Sequence, residues 1–312
     1  MRFCVFTEPQ LGATYEQQVA IAQRAEALGF DGFFRSDHFL QNFGAGTPGP
    51  TDSWVTLGGL ARETSRVRLG TLVTSATFRL PGPLAVAVAQ VDAMSGGRVE
   101  LGLGAGWFEA EHRQYGIPFP SARERFDRLE EQLAIVTGLW STPAGETFSY
   151  RGAYYDLHES PALPKPVQQP GPPVIVGGRG RKRTPHLAAT YADEFNVAFV
   201  SLEQTKEQFA RVAEACETIG RDAGGRAPLV FSVAHTIICG ETEAEAKKRF
   251  ERHTQGAFDP GEGGIVGTPE QVAERLRAFR DIGARRAFLQ VLDLTDVEHV
   301  DLIASEVLPL TV

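Results

Sequence analysis

Three stretches carry residues that could do chemistry. Ser36-Asp37-His38 stands directly after the short apolar run 31–35. A histidine can give or take a proton near neutral pH, and an adjacent carboxylate can raise its basicity or meet a ligand. The plainer alternative is a polar pair that closes a strand. Gly177-Gly178-Arg179-Gly180-Arg181-Lys182-Arg183-Thr184 joins an apolar run to the start of a helical pattern. Its glycines allow close approach of backbone amides to a ligand, its cations attract an anion, and a helix N-terminus adds to both. Gly102-Leu103-Gly104-Ala105-Gly106-Trp107 is glycine-rich but lacks the lysine and spacing of a phosphate-binding P-loop. It suits a strand end where something planar lies close to the backbone. Glu109, Glu111 and His112 follow it. Surface charge is the commoner reading of that trio than a metal set, and no metal is expected.

These residues need a frame, and the chain alternates short apolar runs with longer amphipathic ones throughout. Runs at 2–7, 31–35, 67–74, 98–103, 173–176, 194–197, 229–239 and 287–290 predict eight strands. Thr14-Tyr15-Glu16-Gln17 and Thr268-Pro269-Glu270-Gln271 read as capped helix starts. Further helices are expected at 53–63, 81–94, 121–140, 184–191 (Thr184 as N-cap), 202–219 and 297–307. Between 141 and 172 the alternation lapses into a hairpin-like FSYRGAYYDLH and a proline-rich return. It is read as an excursion on one domain spanning 1–312.

Eight strand–helix repeats with short connections predict an α/β fold with a parallel sheet, either a closed (β/α)₈ TIM barrel or an open doubly wound sheet. A dinucleotide fingerprint is missing after the first strand, where EPQLGATY stands, and this favours the barrel. In such a barrel the working residues follow each strand. That rule selects Thr7, Glu8, Asp37, His38, Thr74, Ser75, residues 104–112 and 177–183, Asn196, His235 and Gln290. Trp107, Phe43 and Phe78 are expected to wall a substrate pocket, with glycine-rich lids near 43–51 and 256–267. Phe33, Phe34 and Met94 read as core.

Composition excludes several classes. The 312 residues are 42% hydrophobic and 22% charged, with a formal net charge of −8. That balance argues against a nucleic-acid partner. The three cysteines, Cys4, Cys216 and Cys239, are scattered and form no zinc pattern. No apolar run reaches membrane-spanning length, and MRFCVFTEPQLG reads as a strand, not a signal peptide. A cytoplasmic protein acting on a small molecule is the expectation.

Taken together, AEALGFDGFFRSDHFLQ, RVRLGTLVTSATFRLPGPLA, VDAMSGGRVELGLGAGWFEAEHRQYGIPFP, RFDRLEEQLAIVTGLW, PPVIVGGRGRKRT and YADEFN resemble the luciferase-like monooxygenase superfamily, in particular its coenzyme F420 (deazaflavin) oxidoreductase branch. GTPEQVAERLRAF also looks like the family. The resemblance implies that Asp37 and His38 meet the cofactor's reactive face, with His38 handling the proton. It maps a non-prolyl cis peptide to Leu72–Val73, a cofactor-contacting hydroxyl to Ser75, and a phosphate cradle to Gly177, Gly178, Gly180, Arg181 and Lys182. Trp107 stands where a sugar-phosphate dehydrogenase of that branch has a catalytic glutamate, so that chemistry is not expected. Glu111, at a commonly acidic position, is a second catalytic candidate. The implied activity is hydride transfer between F420 and an organic substrate. The alternative is an FMN-dependent two-component monooxygenase fed by a separate reductase, and a third reading is a flavin-binding protein without turnover. Arg181, Lys182 and Arg183 favour the longer, polyanionic tail of F420. Relatives are commonly homodimers.

Overall fold

The computed structural model describes residues 1–41, 46–221, 224–254 and 261–311. The chain forms a closed barrel of eight parallel strands. In barrel order these are β1 (Arg2–Thr7), β2 (Gly32–Arg35), β3 (Arg68–Thr71), β5 (Val99–Gly104), β8 (Val174–Gly177), β9 (Glu194–Ala198), β10 (Val230–Cys239) and β12 (Arg286–Val291), and β12 closes on β1. Between β3 and β5, β4 (Thr74–Ser75) pairs with β5 only. An extra strand, β11 (Gly264–Gly267), lies parallel to the far half of β10. The hairpin β6 (Phe148–Arg151) and β7 (Asp156–Ser160) stands apart from the barrel sheet.

The helices are α1 (Tyr15–Ala27), α2 (Ser53–Glu63), α3 (Pro81–Ser95), α4 (Glu109–Gln114), α5 (Ala122–Ser141), α6 (Arg183–Tyr191), α7 (Leu202–Thr218), α8 (Glu243–Thr254), α9 (Pro269–Asp281) and α10 (Val297–Leu302). Thr14 and Thr268 cap α1 and α9 through reciprocal bonds with Gln17 and Gln271, as the sequence predicts. No helix among the described residues is long and apolar enough to cross a membrane.

Alternation along the strands sorts the core into two sets. Outward residues such as Val5, Phe33, Leu69, Leu101 and Leu289 pack under the helices, while Cys4, Phe6, Phe34, Leu72, Ile175, Ala234 and Phe288 fill the barrel. Near the strands' N-terminal ends the filling is charged. Arg286 lies over the rings of Phe34 and Phe288 and pairs with Glu100 at 2.6 Å and Glu194 at 3.1 Å. Gly102 lets β5 close on the break in the third strand, because a Cβ there would sit 2.0 Å from the Thr71 carbonyl oxygen.

Three expectations change. The single run 67–74 is two strands, β3 and β4, separated by a cis Leu72–Val73 peptide. Thr184 does not cap α6; the helix begins at Arg183 and Thr184 folds under Gly180. The last helix turns from α to π geometry at Ile303. Helices α4 and α8 and strand β11 carry patterns too short or too polar to be read from the sequence.

Candidate active site

After β2 the chain turns at the barrel's C-terminal rim and presents His38. Its side chain is 22% exposed, and Nδ1 lies 2.9 and 3.1 Å from the two carboxylate oxygens of Glu111. Glu111 sits in the first turn of α4, is almost fully buried, and also accepts the Phe39 backbone N–H at 3.0 Å. A carboxylate only accepts, so Nδ1 carries the proton and Nε2 is left for other chemistry. Burial alone would lower the His38 pKa. The Glu111 hydrogen bond and the charges of Glu8, Glu111 and Asp37 outweigh it and raise the pKa. The rings of Trp107 and Phe108 meet His38 edge-on, at 5.8 and 6.1 Å.

Asp37 is placed differently from its neighbour. Its carboxylate is buried, accepts from the Thr74 hydroxyl at 2.8 Å and pairs with Arg79, which also reaches Asp52 at 2.6 Å. Burial would lower the Arg79 pKa, but its two carboxylates raise it. Beneath this pair the buried Arg35 donates to the Ser36 and Thr51 carbonyls and the Thr51 hydroxyl. Asp37 thus has a cation and a hydroxyl already against it, and it braces the turn that carries His38.

Beside Thr74, a second chain of polar atoms starts at Ser75. Its hydroxyl lies 2.6 Å from the Thr77 hydroxyl, which lies 2.6 Å from Nε2 of the buried His112. His112 Nδ1 donates to the Phe108 carbonyl at 2.7 Å. Gly106 packs against Ser75 with φ +78°; a Cβ there would sit 2.3 Å from the hydroxyl oxygen. Glu111 and His112 therefore serve two separate networks and do not converge as metal ligands. Among the described residues His253, Asp296 and His299 do cluster, but Arg249 and Arg252 both already pair with Asp296.

The floor of the mouth is polar. Glu8 accepts from Gln290 at 2.8 Å and from Gln10, which in turn accepts from Ser36 at 2.8 Å. Sequence reasoning named Glu8 and Gln290 by strand position and missed Gln10, Asp52 and Arg79, which lie outside the strand ends, and Arg35, the last residue of β2. Two other strand-end candidates sit elsewhere. Asn196 is buried and donates to Ser232, and His235 packs against the Phe279 ring of α9 with centres 4.4 Å apart, where burial lowers its pKa to about 4.

The end of β8 and the loop after it present Gly177, Gly178 and Gly180 before α6. Arg179, Arg181 and Lys182 are exposed, and none pairs with a carboxylate among the described residues. Arg183 is not part of that set, because it pairs with Asp127 at 2.5 Å and Glu130 at 2.9 Å on α5. The sequence pattern could not show that partner, which lies 53 residues or more away. Trp107 is 65% exposed and stacks on Phe108, while Phe78 packs between Phe39 and His112. Phe43 and residues 256–260 lie outside the described residues. The donor set fits a phosphorylated ring compound: glycines where a plane could approach the strand ends, and free cations for its anionic arm.

Comparisons agree with this frame. The model of the family described as luciferase-like monooxygenase matches residues 1–261. A pyrimidine monooxygenase, RutA, of Enterobacter cloacae is 30% identical over 95% of this chain and 78% of its own. Among solved structures, an F420-dependent secondary alcohol dehydrogenase superposes with a TM-score of 0.83 at 19% identity, covering 100% of this chain and 99% of that one. The oxygenating constituent of 3,6-diketocamphane monooxygenase from Pseudomonas putida, in complex with FMN, gives 0.77 at 20% identity over 99% and 98%. A match across most of the barrel, with the rim residues inside it, makes this chain an oxidoreductase that belongs to the luciferase-like monooxygenase family.

Proposed function

We propose that the chain is a flavin-dependent monooxygenase that takes reduced FMN from a separate reductase and handles protons through His38. The carrying observation is the buried Glu111 carboxylate on His38 Nδ1, which leaves a basic Nε2 at the rim. When bound, reduced FMN supplies two electrons to dioxygen, one oxygen atom entering the organic substrate and the other leaving as water. Gly177, Gly178 and Gly180 with Arg179, Arg181 and Lys182 would hold its phosphate, and Leu72, Val73 and Ser75 would lie along its ring. Asp37 braces the His38 turn through Arg79. The relative named a pyrimidine monooxygenase supports this reading over hydride transfer from F420, and the loss of Arg183 from the cationic set weakens the argument for a longer tail. Trp107 and Phe108 offer a flat wall, and Glu8 and Gln290 offer polar partners, which suits a planar heterocycle of the pyrimidine class.

Supplying the protein with reduced FMN, ¹⁸O-labelled dioxygen and uracil tests this. One labelled oxygen atom is expected in the organic product, and His38→Ala should lower turnover about 10²–10⁴-fold while sparing FMN binding. Consumption of reduced F420 with a carbonyl substrate, and no label with FMN, would reverse the assignment. The exposed Val55, Leu80 and Val86 on and beside α2 and α3 are the surface we assign to a second copy in a homodimer.

A further inference from the structure

The chain Ser75–Thr77–His112–Phe108 has a direction. The Phe108 carbonyl can only accept, so His112 Nδ1 must donate to it across 2.7 Å. With the imidazole neutral, its Nε2 carries no hydrogen and must accept from the Thr77 hydroxyl at 2.6 Å. The Thr77 oxygen has then spent its only hydrogen, so the 2.6 Å contact with Ser75 requires Ser75 to donate. The Ser75 hydroxyl therefore offers only lone pairs to anything placed beside it, and the Thr77 N–H already approaches that oxygen at 3.4 Å. Free rotation of the hydroxyl would let it serve as donor or acceptor; here a backbone carbonyl three hydrogen bonds away removes the choice. Burial of His112 and the packing of Gly106 against Ser75 hold the geometry.

We propose that His112 is a positioning residue which, through Thr77, fixes Ser75 as a hydrogen-bond acceptor at the rim, so that the site prefers the ring cofactor in its reduced state, which bears an additional N–H. This rests on the reduced-flavin reading above. An oxidised ring nitrogen is an acceptor, and set against an acceptor-only hydroxyl it leaves both lone pairs unpaired, whereas the reduced ring's N–H is satisfied. The hydroxyl chain thereby favours release of the oxidised form after turnover and capture of the reduced one.

Affinities for oxidised FMN and for photoreduced FMN under anaerobic conditions should be measured by equilibrium binding for the wild type, Thr77→Val and Thr77→Ser. The wild type is expected to favour reduced FMN. Thr77→Val frees the Ser75 hydrogen and should lower that preference about two- to tenfold. Thr77→Ser keeps the hydroxyl and should restore it, which a merely structural loss would not produce. An unchanged ratio in Thr77→Val, with FMN still bound, overturns the inference. Nitrogen-15 NMR of His112 in the unliganded protein tests the direction without any cofactor. A proton on Nδ1 and none on Nε2 is expected, and a proton on Nε2 overturns the inference even if FMN binds. Failure of the wild type to bind either state of FMN overturns the cofactor reading and the redox preference with it, while the NMR result still decides the Ser75 polarity.

Discussion

His38 and Asp37 are adjacent in sequence and opposite in circumstance. His38 keeps a ring nitrogen free because Glu111 takes the other, whereas Asp37 is committed to Arg79 and Thr74. Glu111→Gln keeps an acceptor for Nδ1–H but removes the charge that helps raise the His38 pKa. The His38-dependent limb of the pH–rate profile should therefore move to lower pH, whether His38 acts as acid or base, with kcat/KM down about 10–100-fold. An unmoved limb would separate Glu111 from the chemistry. Asp37→Asn should act on stability first. It leaves the partly buried Arg79 with one anion fewer, and a loss of about 2 kcal/mol in urea unfolding is expected. A Tm and urea midpoint equal to wild type, with activity gone, would instead make Asp37 a direct participant. Asp37 and His38 were both visible in the sequence as a pair at a strand end. Their division of labour was not, because it is set by Arg79, Asp52 and Glu111, which lie 15 to 74 positions from Asp37.

At the scale of elements, strands read well from sequence because fully buried parallel strands are short apolar runs bounded by polar turns. The interruption of the third strand at Leu72–Val73 has no mark in hydropathy, since VRLGTLVT is apolar across it; only the resemblance located it. Helix α4, which delivers Glu111 and His112 to two different networks, spans six residues and carries Glu109, Glu111, His112 and Arg113. A helix that short and charged has no apolar stripe to read, so its residues looked like surface charge. The glycines between β5 and α4 have a positional meaning that can be tested. Gly106→Ala combines a disfavoured φ of +78° with a contact on Ser75, and it should cost about 1 kcal/mol or more in thermal unfolding. It should also weaken reduced-FMN binding by displacing the hydroxyl. Wild-type stability and affinity in that variant would show that the β5–α4 turn does not position Ser75.

For the whole molecule, the buried histidines set the response to acid. Burial lowers the pKa of His235 to about 4 and that of His299 to about 3, and each has a ring nitrogen without a partner among the described residues. The unfolded chain takes up protons at both near pH 6.5 while the native chain does not, so stability falls as pH drops below about 6.5. Two such groups give a slope approaching about 3 kcal/mol per pH unit between pH 6 and 4.5. His38, with a raised pKa, has the opposite sign: its stabilisation is complete below the unfolded value and is lost as pH rises through the raised native value. Urea unfolding from pH 7 to 4.5 checks this, and a flat curve would contradict it. Changing the uncharged outer face near α3 with Leu80→Glu and Val86→Asp should shift sedimentation from dimer to monomer without loss of fold; an unchanged sedimentation coefficient would remove that face as the contact. The barrel is shared by relatives that use either cofactor, so fold alone does not choose between them. The choice is made by equilibrium titration of the purified protein with FMN and with F420, each reduced and oxidised, followed by quenching of tryptophan fluorescence. Tighter binding of reduced FMN than of F420 in either state is the expected result, with His38→Ala binding as well as wild type. Preference for F420 would contradict the monooxygenase assignment and return the site to hydride transfer.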